Sequence, residues 1–232
     1  MDSVSFSVDS GQRLAIIGPN GAGKTTLFQL ISGILRPTGG RILAFGKDIT
    51  RLPPHRRAAL CLGRTFQITN LFMNLTVLEN VLLALHGLKS SKYNLVKPFY
   101  AHRQDLARAD EILERWKLNG RRHEPVQSLS YGEQRQLEII LALSQDRPIL
   151  LLDEPTCGLS PEEAKNFVAI LRALPSDITI LLIDHDMDVA FGVAERVMVL
   201  HFGTMLALGS PEEVRNNSNV REIYMGIDDE SA

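Results

Sequence analysis

The segment Gly18-Pro19-Asn20-Gly21-Ala22-Gly23-Lys24-Thr25-Thr26 constrains this chain more than any other. The apolar run Leu14-Ala15-Ile16-Ile17 before it reads as a buried strand, and Leu27-Phe28-Gln29-Leu30-Ile31 after it reads as a helix. A strand, a glycine-rich loop ending in Lys-Thr and a helix are the context in which G-x-x-x-x-G-K-[ST] forms a phosphate-binding P-loop. Glycines let backbone N–H groups turn inward around phosphate oxygens, where a Cβ would clash. The helix N-terminus adds unpaired N–H groups and partial positive charge. Lys24 would reach the β and γ phosphates as a point charge, and the Thr25 hydroxyl would ligate Mg²⁺. The pattern implies a site for a nucleoside triphosphate; the alternative, a glycine-rich turn capping an ordinary helix, does not account for the strand ahead of it.

Composition narrows the class. The chain has 232 residues, 44% hydrophobic and 22% charged, with a net charge of −2. It is long enough for one large core or a core with an inserted subdomain. Arg56-Arg57 and Arg121-Arg122 are the densest basic spots and read as solvated surface, so no nucleic-acid footprint is expected. Apolar runs such as 149–152 and 178–183 are strand-sized rather than membrane-spanning, and the first five residues do not form a signal peptide. Cys61 and Cys157 lack metal-ligand spacing and read as reduced thiols of a cytoplasmic protein.

Along the chain, Val4, Phe6 and Val8 alternate with polar residues, which predicts a half-exposed strand over 3–8. Gly39-Gly40 opens a further strand, 41–45, closed by Gly46-Lys47-Asp48, and Pro53-Pro54 starts a helix to about Leu60. Residues 62–66 lead to Gln67. Between 75 and 143 the apolar spacing turns helical, in Val77, Leu78, Val81, Leu82 and Leu85 and again in Leu106, Ala109, Ile112, Leu113 and Trp116, with a polar connection over 90–98. Ser130-Tyr131-Gly132-Glu133 has capping-box form ahead of another helix. The sheet resumes at 149–153, continuously apolar up to Asp153 as in a strand buried on both faces. Ser160-Pro161-Glu162-Glu163 and Ser210-Pro211-Glu212-Glu213 are helix starts, 178–183 is a buried strand ending at Asp184-His185, and 186–194 is a helix. Two strands flank Phe202-Gly203, and 228–230 should fray. The expected fold is α/β: a P-loop NTPase (RecA-like) core with a mostly parallel sheet, a small antiparallel part and an inserted helical subdomain. Its bounds are 1–67 and 144–209 for the core, 68–143 for the insertion and 210–232 for a helical tail.

Further signals accompany the P-loop. Asp153-Glu154 ends an apolar strand, where an Asp can support Mg²⁺ through water and a neighbouring Glu can polarise an attacking water. A pair of surface carboxylates entering a loop is the alternative. Leu129-Ser130-Tyr131-Gly132-Glu133-Gln134-Arg135 places a hydroxyl and N–H groups at a helix start, where they could bind an anion, although capping alone would explain Ser130 and Glu133. Gln67 and His185 are weak signals individually. The order of the five, however, is informative: P-loop, Gln67, Leu129–Arg135, Asp153-Glu154, His185.

That order resembles the ATP-binding cassette (ABC) ATPases, and Leu129–Glu133 resembles their L-S-G-G-Q signature with Tyr131 and Glu133 substituted. The resemblance covers essentially the whole chain. The stretches 64–67, 75–80, 129–133, 184–187, 214–217 and 222–226 are similar to the ATP-binding subunits of importers for branched-chain amino acids and their urea and amide relatives. It implies ATP and Mg²⁺ as ligands, with Gly18 to Thr26 on the phosphates, Thr25, Gln67 and Asp153 at the metal, Glu154 as base, Gln67 at the attacking water and His185 on the γ-phosphate. It also implies a head-to-tail dimer with a second ABC subunit, identical or not, in which Ser130, Gly132 and Glu133 of one chain face the P-loop of the other. Membrane permease subunits, docked on the helical insertion including 71–85, and indirectly a solute-binding protein complete the implied assembly on the cytoplasmic face of the membrane. An exporter subunit for lipid or lipopolysaccharide shares every ATPase motif, and a non-transport ABC ATPase acting on ribosomes or DNA is a further alternative. Two departures stand out. The family's D-loop Asp is Ser160 here, and the strand bearing an adenine-stacking aromatic has no counterpart ahead of Met1, which reads as a shortened chain or a misassigned start.

Overall fold

The apolar residues ahead of the P-loop serve two cores at once. Strand β1 (Arg13–Ile17) points Leu14 and Ile16 to one face, where they pack with Leu27, Phe28, Leu151, Leu181 and Met198. Ala15 and Ile17 point to the other, against Ala190, Val197, Val199, Val214 and Val220. The period of two in a strand enforces this division, and burial on both faces explains why the run has no polar member. Each fully buried Leu, Ile, Val or Phe contributes about 1.5–3 kcal/mol.

The computed structural model describes residues 1–60, 62–64, 71–86, 103–144 and 148–225. The chain divides into two compact units, Met1–Arg64 with Pro148–Ala232, and Thr65–Arg147. In the first, β1 is joined by β4 (Leu62–Arg64), β5 (Ile149–Asp153), β6 (Thr179–Ile183), β7 (Arg196–His201) and β8 (Thr204–Gly209) in the order β4-β5-β6-β1-β7-β8. All pairs are parallel except β7 with β8. Strands β2 (Leu43–Ala44) and β3 (Lys47–Asp48) form a separate antiparallel hairpin. Helices α1 (Lys24–Ser32), α2 (Pro54–Leu60), α6 (Pro161–Arg172), α7 (Met187–Val193), α8 (Pro211–Asn216) and α9 (Ser218–Met225) belong to this unit, which is an α/β P-loop fold. Chain order places β6 and β7 on opposite sides of β1, the arrangement that leaves a crevice at the carboxyl ends of parallel strands.

Three expectations need correction. Residues 3–8 lie in neither sheet, although Val4, Phe6 and Val8 do pack against the core beside α1. Alternation decides which side chains turn inward, whereas a ladder also needs a neighbouring strand edge with N–H and C=O groups to pair. The strand expected over 41–45 is only Leu43–Ala44, because Phe45 and Gly46 (φ 49° and 74°) turn the chain at once. Arg57 is not solvated surface but 1% exposed. Its guanidinium donates to the carbonyls of Leu30 and Ile31 at 2.7 Å each, of Leu52 at 2.9 Å and of Thr50 at 2.8 Å. The planar fork of arginine suits the carbonyls gathered at the last turn of α1, and charge patterning alone cannot reveal such a role.

Among the described residues the second unit is helical: α3 (Val77–His86), α4 (Arg103–Arg115) and α5 (Tyr131–Leu143), with two short 3₁₀ turns. Val77, Val81, Leu82, Ala109, Leu113, Leu137 and Ile140 form its core at the spacing the sequence carries. Thr76 and Glu79 cap α3 reciprocally, the Thr76 amide donating to Glu79 Oε2 at 2.8 Å. Buried Asn80 binds both backbone groups of Phe72, its Oδ1 accepting from the amide at 2.9 Å and its Nδ2 donating to the carbonyl at 3.1 Å. Arg121 and Arg122 pair with Glu124 and Asp110 at 2.8 Å each. Gln67, Cys61, the connection over 90–98 and residues 228–230 lie outside the described residues. Among the described residues no helix is long and apolar enough to cross a membrane.

Candidate functional site

Strand β1 ends at Ile17 and the chain turns into the P-loop at Gly18. A Cβ there would lie 2.3 Å from the Leu200 carbonyl oxygen, so only glycine lets the loop leave the strand beside β7. The loop is braced from behind by the β7–β8 turn, where the Gly203 amide donates to Ala22 O at 2.9 Å. It closes at Gly23, the N-cap of α1, whose φ of 103° belongs to the left-handed half of the map that favours glycine. A glycine cap brings no side chain to the first amides of α1, and no side-chain cap bond is formed there. Such an N-terminus presents N–H groups and partial positive charge to an anion.

Lys24 follows directly and is 7% exposed. Its ammonium donates to Gly18 O at 2.6 Å and to Pro19 O at 3.1 Å, which places it across the mouth of its own loop. Burial pushes its pKa below the ordinary lysine value, while the carboxylates of Glu154 and Asp153 oppose that shift. The P-loop lysine and the Asp153-Glu154 pair therefore share one electrostatic environment.

The sheet register explains this. Asp153 is level with Ile183, and Ile183 is level with Ile16, so the residues that follow β5, β6 and β1 emerge along one edge. Two strand spacings, about 10 Å, separate β5 from β1. Asp153 is 6% exposed at the end of β5. Glu154 adopts φ 48°, a left-handed conformation that costs a non-glycine residue about 1 kcal/mol or more and persists only where surroundings enforce it. Its amide donates to Ile183 O at 2.8 Å, pinning the strained residue to β6. On the neighbouring strand end, the His185 side chain is 62% exposed, with Nδ1 3.8 Å from Asp184 Oδ1.

The structure thus gathers Gly18, Pro19, Asn20, Gly21, Ala22, Gly23, Lys24, Thr25, Thr26, Asp153, Glu154 and His185 at one edge of the first unit. Gln67 lies outside the described residues. Ser130, Gly132 and Glu133 belong to the second unit. There Ser130 caps α5, its Oγ accepting from the Glu133 amide at 3.3 Å while Glu133 Oε2 accepts from the Ser130 amide at 2.9 Å. Tyr131 accepts from Arg135 Nη2 at 2.6 Å, and Arg135 pairs with buried Glu138 at 2.8 Å. Ser160 is committed to α6 in the same way, its Oγ accepting from the Glu163 amide at 3.3 Å. Sequence reasoning missed Thr156 and Asp184, whose side chains bond to each other behind the site at 2.7 Å. The available signal was a carboxylate closing the apolar run 180–183.

Magnesium can be tested against these residues. Among the described residues no cluster of three or more His, Cys, Asp or Glu could cage a metal. One hydroxyl, Thr25, and one buried carboxylate, Asp153, at a phosphate site are hard-oxygen donors of the kind that Mg²⁺ takes together with phosphates and water, so the residues fit.

Comparison with known proteins agrees with this geometry. Residues 1–157 match the family described as ABC transporter. The high-affinity branched-chain amino acid transport ATP-binding protein LivG of Salmonella typhimurium is 40% identical over 233 residues, covering 97% of this chain and 91% of the relative. The lipopolysaccharide export system ATP-binding protein LptB of Acidithiobacillus ferridurans is 36% identical over 224 residues, covering 96% and 89%. The crystal structure of a nucleotide-free ATP-binding cassette from an ABC transporter superposes with a TM-score of 0.84 at 32% identity, over 97% of this chain and 92% of that one.

Proposed function

The chain belongs to the ABC transporter family, and from that premise we propose that it is the ATP-hydrolysing motor of an importer for branched-chain amino acids or related small polar solutes. The observation that carries the reading is the convergence of the P-loop, Asp153, Glu154 and His185 on one sheet edge in a chain similar to LivG over nearly its whole length.

In this reading the backbone N–H groups between Gly18 and Thr26, Pro19 having none, and the Lys24 ammonium hold the phosphates. The Thr25 hydroxyl, Asp153 and Gln67 would hold Mg²⁺. Bound there, the ion would neutralise charge on the β and γ phosphate oxygens. Glu154 orients a water and takes its proton as the water oxygen attacks the γ-phosphorus; the bond from that phosphorus to the β–γ bridging oxygen breaks, ADP leaves, and His185 donates to an oxygen of the departing phosphate. The helical unit, 65–147, contributes Ser130, Gly132 and Glu133 to the P-loop of a second subunit, because one P-loop and one signature per chain cannot complete a two-sided site alone. Closure on ATP and opening after hydrolysis would then move permease subunits in the membrane, to which this chain binds peripherally on the cytoplasmic face. ATP shifts that equilibrium only through contacts the open state lacks.

The similarity to LptB favours a second reading, a motor for lipopolysaccharide export. Reconstitution with candidate permease subunits separates the two. ATP-dependent uptake of labelled leucine or a related solute into vesicles supports import; extraction of lipopolysaccharide without uptake would replace it by the export reading.

A further inference from the structure

The side chain that joins the two catalytic loops is one to which neither phosphate binding nor water activation assigns a part. Asp184 is 0% exposed, at the carboxyl end of β6 and immediately before His185. Its Oδ2 accepts a hydrogen bond from Thr156 Oγ1 at 2.7 Å and its Oδ1 accepts from the Asp186 amide at 3.0 Å. The same Oδ1 lies 3.8 Å from His185 Nδ1. Thr156 is itself buried, 8% exposed, two residues beyond Glu154. The partners come from different crossovers: Thr156 from the turn after β5, Asp186 from the N-cap of α7 after β6.

A carboxyl at this depth costs stability that an aliphatic side chain would not. Burial pushes the Asp184 pKa up, and the bonds from Asp186 and Thr156 pull against it. Packing alone gives no reason for such a group, whereas loop geometry does. Glu154 is held at φ 48°, and a strained residue needs its surroundings over-determined. We propose that Asp184 is a positioning residue: by holding the Thr156 hydroxyl and the Asp186 amide at one point, it fixes the loop carrying Glu154 relative to the loop carrying His185. The proposal rests on the roles given above to Glu154 and His185.

The test compares ATP turnover, nucleotide Kd and thermal midpoint for the unsubstituted chain and for Thr156→Val, Thr156→Ser, Asp184→Asn, the Val/Asn double variant and Glu154→Gln. Thr156→Val and Asp184→Asn should each slow turnover roughly ten- to a hundredfold, as an ångström-scale misplacement of reacting groups does. Kd should stay within about twofold in both, since the phosphate contacts are made elsewhere. Thr156→Ser, which keeps the hydroxyl, should restore turnover, and the double variant should lose no more than the worse single one. Turnover at the unsubstituted rate in Thr156→Val or Asp184→Asn would overturn the proposal. So would losses that merely follow the folded fraction, or losses that multiply in the double variant. Glu154→Gln at the unsubstituted rate would instead sink the reading beneath the proposal, and that outcome involves neither Thr156 nor Asp184.

Discussion

Helices α1 and α5 both start at segments assigned to nucleotide, and they start in opposite ways. The first turn of α1 is capped by Gly23, with no side-chain bond to its amides. The first turn of α5 is closed on itself by the Ser130–Glu133 box, and Arg121 Nε stands 3.5 Å from Glu133 Oε1 on its outer side. An open N-terminus can take a phosphate directly. A boxed one must give up an internal hydrogen bond first, and it carries a carboxylate that repels an anion. In the proposed site, α1 would therefore hold nucleotide in the single chain and α5 would add to it on closure. Helices α6 and α8 carry the same Ser-x-x-Glu box, so the box by itself is a folding device.

Substitutions on the two sides should separate them. Lys24→Ala removes a charge-assisted contact worth roughly 1.5–3 kcal/mol, so nucleotide Kd should weaken about ten- to a hundredfold in calorimetry. Unchanged Kd would break the contrast by moving the primary site away from α1. Ser130→Ala and Ser160→Ala each remove an N-cap and should each cost about 1 kcal/mol in a denaturant titration. Only Ser130→Ala should also lower turnover; identical turnover in the two would reduce α5 to a capped helix. The smallest effect concerns pH. Burial raises the Asp184 pKa in the folded chain, so its charge costs stability at neutral pH, and the cost is relieved as pH falls through that raised value towards the ordinary carboxylate range. The thermal midpoint of Asp184→Asn relative to the unsubstituted chain should therefore decline on acidification, and a difference constant with pH would contradict it.

How much of this was legible in the residues depends on whether the cause was local. The P-loop, the Ser-x-x-Glu helix starts and the apolar strands were readable because each rests on contacts within a few residues, and the structure places them as expected. Residues 3–8 show the limit: their alternation was real, but pairing depends on a distant strand edge. Arg57 binds carbonyls 26 and 27 residues away, and the Thr156–Asp184 bond spans 28, distances at which neither charge runs nor periodicity carries a signal. At the site, the sequence marked the groups to which the proposed function gives chemistry. The side chain holding two of their loops together was visible only as a carboxylate ending an apolar strand.

In the proposed pair, the open α1 site of one chain is completed by the boxed α5 of another. Light scattering of Glu154→Gln, with and without MgATP, tests it most directly, because slowing hydrolysis should trap the closed pair. The expected result is a shift from monomer to dimer that requires nucleotide and disappears when Ser130→Arg is added, while that added change leaves the nucleotide Kd of the monomer intact. A chain that binds MgATP and stays monomeric, or that dimerises equally well with Arg at position 130, would contradict it.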